Sequence, residues 1–264
     1  MLGLGLSRTK SSLVPALPAF TNADPQNDRG FVFDGNGDFL QVNDHDDFSF
    51  NNAGAGNNPF SIAFWIKRDG TGANEALFSK AATNNYEYRV FFLNDDIYFD
   101  VYDTTTSKYT RKYKGGIGNT TNWQHWVFVY DGGLTGPILT IYVNGSDIGS
   151  LSSGSSGGGG DMENLGAAFK LGAMDAASYD YDGKMMQVIL WDAELTADEA
   201  AYIYASGNAA RNPLVESTTY SKHNNVVAWW PLDDANGHED HGGRGHDFTK
   251  NGNADLDTGA DAPW

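Results

Sequence analysis

The sequence predicts a mainly β protein, a sandwich of two antiparallel sheets with one short helix and an extended N-terminal arm. Three observations carry that prediction. Apolar residues recur at every second position in several runs, most clearly Phe60, Ile62, Phe64 and Ile66 and then Leu139, Ile141 and Val143, the period of a pleated strand. Turn pairs punctuate these runs, including Asp34-Gly35, Asn144-Gly145 and Asn251-Gly252, in a chain with 32 glycines. An aromatic content of 13% and a hydrophobic content of 40% supply enough apolar side chain for a full core in 264 residues.

Taken in order, residues 1–29 show neither strand nor helix periodicity, contain Pro15, Pro18 and Pro25, and carry no acidic residue before Asp24. They are expected to form an arm that docks on the body or on a neighbouring chain, with Leu2, Leu4, Leu6, Arg8 and Lys10 as its contact residues. Strands are expected from Phe31, from Phe39, over 60–67, around Leu77, over 86–93 and 97–102, over 109–113, and from Trp123 through the hairpin closed by Asn144-Gly145. The Gly/Ser run 154–160 reads as a surface loop, because the strand pattern resumes at 169–172 and 185–191. The helix begins at Thr196, which forms a capping box with Glu199; Ala200, Ile203 and Tyr204 give its apolar face, and Gly207 is its expected stop.

Composition narrows the function. The formal net charge of −17, with no basic cluster interleaved with aromatics, argues against nucleic acid as a partner. No apolar run approaches the ~20 residues of a membrane helix. The glycine-interrupted start Met1 to Leu6, with Arg8 and Lys10 after it, lacks the order of an export signal. Cysteine is absent, which removes disulfides and thiolate chemistry.

Several motifs occur in a familiar order: Phe33-Asp34-Gly35, Phe60 to Lys67, Asn122-Trp123-Gln124-His125-Trp126-Val127, Leu139 to Gly145, and Asp182-Gly183-Lys184-Met185-Met186 leading to Trp191 and the helix at Thr196. Together they resemble the laminin-G-like, concanavalin A-like jelly-roll domains of the bacterial and viral type, as found in tailed-phage virion surface proteins. The resemblance implies a jelly roll over residues 30–264. The segment Val226 to Asp233, with Gly245-His246-Asp247-Phe248 after it, resembles the stretch that usually opens such domains, so residues 222–264 are expected to return and complete the sandwich, an independent tail hairpin being the other reading. It also implies a non-enzymatic protein of a phage particle, a capsid decoration or fibre-associated subunit on the virion surface. In that reading the arm is expected to bind other virion proteins within an oligomer or larger assembly, with glycans as a further expected partner of the jelly roll. The alternative is a soluble or cell-surface carbohydrate-binding module or adhesin. Because many such domains hold calcium at the rim, Asp175, Asp180 and Asp182 are its candidate ligands.

Retaining glycosidases need two carboxylates about 5 to 5.5 Å apart. No strand here carries such a set; Asp96 and Asp100 share a face but lie four residues apart, roughly 13 Å along a strand. The run His238-Glu239-Asp240-His241 has metal-ligand residue types without a helical ligand spacing. His125 lacks a readable nucleophile partner and is expected to pack structurally. Tyr86, Tyr88, Tyr179 and Tyr181 are the candidate sugar-stacking residues.

Overall fold

Runs rich in aromatic and β-branched residues become strands because their side chains fill both faces of a pleated surface. A computed structural model describes residues 30–52, 56–118, 120–133, 139–156, 161–174, 179–205, 211–232 and 238–257. The arm, with Leu2, Leu4, Leu6, Arg8 and Lys10, lies outside the described residues, as does Asp175. The strands are β1 (Phe31–Asp34), β2 (Phe39–Val42), β3 (Phe60–Arg68), β4 (Glu75–Ala82), β5 (Asn85–Leu93), β6 (Asp96–Asp103), β7 (Lys108–Lys114) and β8 (Gln124–Tyr130). They continue with β9 (Leu139–Val143), β10 (Ser146–Asp147), β11 (Ser152–Ser153), β12 (Phe169–Leu171), β13 (Asp182–Trp191), β14 (Val226–Trp230), β15 (Thr249–Asn251) and β16 (Asp255–Leu256). One α-helix among the described residues, α1 (Ala197–Tyr204), follows β13.

Two antiparallel sheets result. The first runs β10-β9-β8-β3-β13-β1-β16, with β14 also paired to β13; the second runs β11-β7-β6-β5-β4-β12-β2-β15. Phe60, Ile62, Phe64 and Ile66 of β3 enter the core between the sheets, whereas Ala63 faces the layer under α1 with Ala200 and Ile203. Helix α1 starts at the Thr196–Glu199 capping box, and Ala205, in the left-handed region at φ 54°, caps its end. The expected stop, Gly207, lies outside the described residues.

Strand β13 holds the first sheet together. Gly183 to Trp191 run along β3 on one edge, with a bulge between Met186 and Ile189. On its other edge Asp182 to Met185 pair with β1, and Val188 to Trp191 pair with β14. Between these halves Gln187 adopts φ 52°, its amide donating to Pro231 O at 2.8 Å and its side-chain oxygen accepting from Trp229 Nε1 at 3.1 Å. Strand β16 then pairs with β1, and β15 pairs with β2 of the second sheet, so residues 226–256 add strands to both layers.

Charges inside the sandwich tie loops to strands. Lys80, with no solvent exposure, binds Asp44, Glu87 and the carbonyls of Leu165 and Ala167. Arg68 is likewise buried; it pairs with Glu75 and Asp95 and lies 4.4 Å from the Phe92 ring centre.

Trp230 joins the last long strand to the core: its ring lies 4.2 Å from Phe248 and 5.9 Å from Phe169, and its Nε1 donates to His246 O at 2.7 Å. Trp230→Ala is expected to cost about 4 kcal/mol, the usual range for emptying a large aromatic site, and chemical denaturation monitored by tryptophan fluorescence measures it.

Candidate functional site

The meander β5-β6-β7 alternates strictly. Val90, Phe92, Ile97, Phe99 and Val101 point into the core. The residues between them form three rows on the opposite face, set by the ladders Phe91↔Tyr98↔Tyr113, Arg89↔Asp100↔Arg111 and Tyr102↔Tyr109.

The first row is a gallery of rings: Phe91 to Tyr98 and Tyr98 to Tyr113 each lie 5.2 Å apart with planes 10° from parallel. Tyr179 closes one end, edge-on to Phe91 at 5.6 Å. The third row joins Tyr102 to Tyr109 at 5.6 Å and to Tyr86 at 5.2 Å. The middle row is ionic. Asp100, wholly buried, accepts from Arg111 Nε and Nη2 at 2.6 Å each, from Arg89 Nε at 3.0 Å and from the Tyr102 hydroxyl at 3.2 Å.

Both guanidinium groups lie among rings, Arg111 at 4.9 Å from Tyr109 and 5.1 Å from Tyr98, Arg89 at 5.0 Å from Phe91 and 5.2 Å from Tyr102. Such contacts hold a cation flat against aromatic carbon. Burial and the Asp100 charge keep the Tyr102 hydroxyl protonated, its pKa well above the usual tyrosine value. At the end of the face an open cleft of about 370 Å³ is lined by Asn84, Tyr86, Tyr102, Asp103, Thr104 and Ser107.

Of the four tyrosines expected to stack on sugars, two are corrected. Tyr88 and Tyr181 have no solvent exposure, and their hydroxyls are spent on Phe48 O and on Lys67 O and Lys184 O, so both are core residues. Tyr88 follows the inward phase of β5, and Tyr181 packs against Phe33. Tyr86 and Tyr179 are half-buried and belong to the face. Tyr98, Tyr102, Tyr109 and Tyr113 were missed by sequence reasoning, although the Tyr spacing of four in 98–102 and 109–113, an even number that keeps each pair on one face, would have placed them once the strand phase was known.

The rim aspartates behave differently. Asp180 accepts the Gly37 amide at 3.0 Å, and Asp182 pairs with Asp34 across the β1–β13 ladder. Burial, with Asp69 and Asp34 nearby, pushes the Asp182 carboxyl up. Among the described residues these two do not converge with a third acid on one point; the His/Asp/Glu group that does is His45, Asp47 and His246, whose ligand atoms lie within 4.8 Å of one another. There His246 Nε2 lies 2.8 Å from Asp47 Oδ2, and His45 Nδ1 accepts the Asp47 amide at 3.1 Å. Arg244 Nη1 lies 3.6 Å from the same carboxylate oxygen. Burial opposes ionisation of Asp47, but the His246 hydrogen bond and Arg244 outweigh it and hold the carboxyl below its ordinary value. In the same loop Asp240 is consumed by the amides of Trp229, Gly242 and His246.

His125 is 1% exposed, between the rings of Trp65 and Tyr204, and burial depresses its pKa to about 3.

Two antiparallel sheets packed as a sandwich, one of them bearing a half-buried face of aromatic and arginine side chains, define a concanavalin A-like jelly roll. The family model described as the concanavalin A-like lectin/glucanases superfamily (Laminin_G_3) matches residues 34–201, and the chain belongs to this family. Among solved structures, a candidate carbohydrate binding protein from Bacteroides ovatus ATCC 8483 shares the fold with a TM-score of 0.57 at 15% identity. That alignment covers 90% of this chain and 62% of the Bacteroides chain. The heptameric SAP-like pentraxin of Limulus polyphemus aligns over 80% of this chain and 95% of its own, at 16% identity and a TM-score of 0.47. A comparison with curated proteins found no match.

Two outcomes follow from the charges. Asp100→Ala leaves two guanidiniums without their shared acceptor and is expected to cost about 3 kcal/mol, read by urea denaturation. His125 stays neutral in the folded chain while the unfolded chain protonates it near pH 6.5. Its contribution is therefore fully present above pH 6.5 and is lost as pH falls toward 3. His125→Phe is expected to flatten the melting temperature profile between pH 6.5 and pH 4, and an unchanged slope would refute the assignment.

Proposed function

We propose that this protein is a non-catalytic carbohydrate-binding protein that takes glycans on the β5-β6-β7 face. The observation that carries the proposal is the pair of tyrosine rows flanking two guanidiniums beside an open cleft. A pyranose has apolar C–H faces and a hydroxylated rim, and half-buried tyrosines offer carbon for the first and hydroxyls for the second. Membership of a superfamily that includes lectins supports the reading, as does the shared fold of the Bacteroides protein, which is described as carbohydrate binding. The non-catalytic part rests on Asp100, the carboxylate at the centre of the face: it is wholly buried and its oxygens are held by Arg89, Arg111 and Tyr102, so it does not reach a sugar.

In the finer reading the module sits on the surface of a phage particle as a capsid decoration or fibre-associated subunit. Residues 1–29 pack against other virion proteins through Leu2, Leu4, Leu6, Arg8 and Lys10. Its supports are the resemblance drawn from the sequence motifs and the apolar-then-basic composition of the arm. A soluble or cell-surface adhesin would use the same face without the particle.

Affinity electrophoresis through gels holding single polysaccharides tests the first proposal. At least one is expected to retard the protein, and Tyr98→Ala or Tyr113→Ala to weaken that retardation about tenfold, equivalent to 1.4 kcal/mol. No retardation by any polysaccharide, or variants that behave as the wild type, would sink it. Removing residues 1–29 is expected to abolish incorporation into particles while sparing glycan binding; unaltered incorporation refutes the virion reading.

A further inference from the structure

The centre of the binding face carries unequal charges. Asp100 brings one negative charge to a row in which Arg89 and Arg111 bring two positive ones. Asp100 is wholly buried, whereas the arginine side chains keep 20% and 21% of their surface, so the excess charge lies on the side that a ligand can touch. Their donors are not all used. Arg111 spends Nε and Nη2 on Asp100, and Arg89 spends Nε on Asp100 and Nη1 on the Met174 sulfur. Arg111 Nη1 and Arg89 Nη2 have no acceptor among the described residues, and a guanidinium nitrogen has no other outlet for its protons than an acceptor or water.

Lys112 and Lys114, opposite Phe99 and Ile97 in the ladder, follow the inward phase of β7 and bond to the Ser153 hydroxyl and to the carbonyls of Ile148 and Ser150, so they add nothing to this face. Asp96 shares the outward phase with Tyr98 and Asp100, and its carboxylate accepts the Gly116 amide at 2.8 Å. The excess positive charge is therefore local to the ionic row itself, and charges farther away are screened over about 8 Å at physiological salt.

We propose that the face selects acidic saccharides, with the carboxylate of a uronate-type residue received by the free guanidinium edges of Arg111 and Arg89 while its ring lies against the tyrosines. A planar carboxylate matches the donor fork of a guanidinium, and the flanking rings lower the local dielectric in which the pair forms. The inference rests on the glycan-binding reading and adds the ligand class to it.

Isothermal titration with tetragalacturonate and with its methyl ester, which removes the charge and keeps the sugar, tests the selectivity. The acid is expected to bind at least tenfold more tightly than the ester, with the gap narrowing in 0.5 M NaCl. Arg111→Gln, which balances the row at one charge of each sign, is expected to erase the preference. Arg111→Lys should keep part of it, and Arg89→Gln provides the same neutralisation from the neighbouring strand. Equal binding of acid and ester, or binding of neutral glycans alone, overturns the selectivity and leaves the glycan-binding reading standing. Failure to bind any saccharide overturns both.

Discussion

The fold depends on one ten-residue strand paired along both edges. β13 gives one edge to β3, interrupted by a bulge, and divides the other between β1 and β14, so the first strand and the last five-residue strand meet on it. At the bulge between the two halves Gln187 turns to a positive φ, which also interrupts the β3 ladder, and its amide and side chain tie down the end of β14. Because β16 and β15 continue from that junction onto β1 and β2, the closing segment links the two layers rather than trailing from one of them.

The second sheet owes its outer surface to its packing on the first. Inward residues of β5 and β6 pack against Trp126 and Phe128 of the first sheet, as in Phe99 against Phe128 at 5.8 Å and Phe92 against Trp126 at 5.7 Å. With the inward set immobilised, the pleat leaves the outward set no choice of direction. Tyrosines and arginines separated by twenty residues in sequence therefore form straight rows. The arginines stand upright because Asp100 and the rings hold them, which reduces the conformational entropy a ligand would otherwise have to remove.

Buried charge serves the loops in a comparable way. Lys80 reaches from β4 to the 161–167 segment and Asp44, and Arg68 reaches to Glu75, Asp95 and Gly118 O. Burial pushes the Glu75 and Glu87 carboxyls up to about 7, and their cationic partners pull the other way. Such pairs add specificity of position more than net stability.

What the sequence determined by itself was whatever depends on local periodicity: the antiparallel β class, the inward phase of Phe60 to Ile66 and the Thr196–Glu199 start of the helix. These rest on spacing within one element, and spacing is written in the chain. Partnership is not. That Tyr88 and Tyr181 are buried while Tyr98, Tyr109 and Tyr113 are half-exposed depends on which side of each strand meets the other sheet. Lys80, which any composition argument would place in water, is sealed by loops from distant parts of the chain. The ionic row of Arg89, Asp100 and Arg111 exists only because two ladder registers bring three strands into line, and register is set by packing across the whole sandwich rather than by any residue in it.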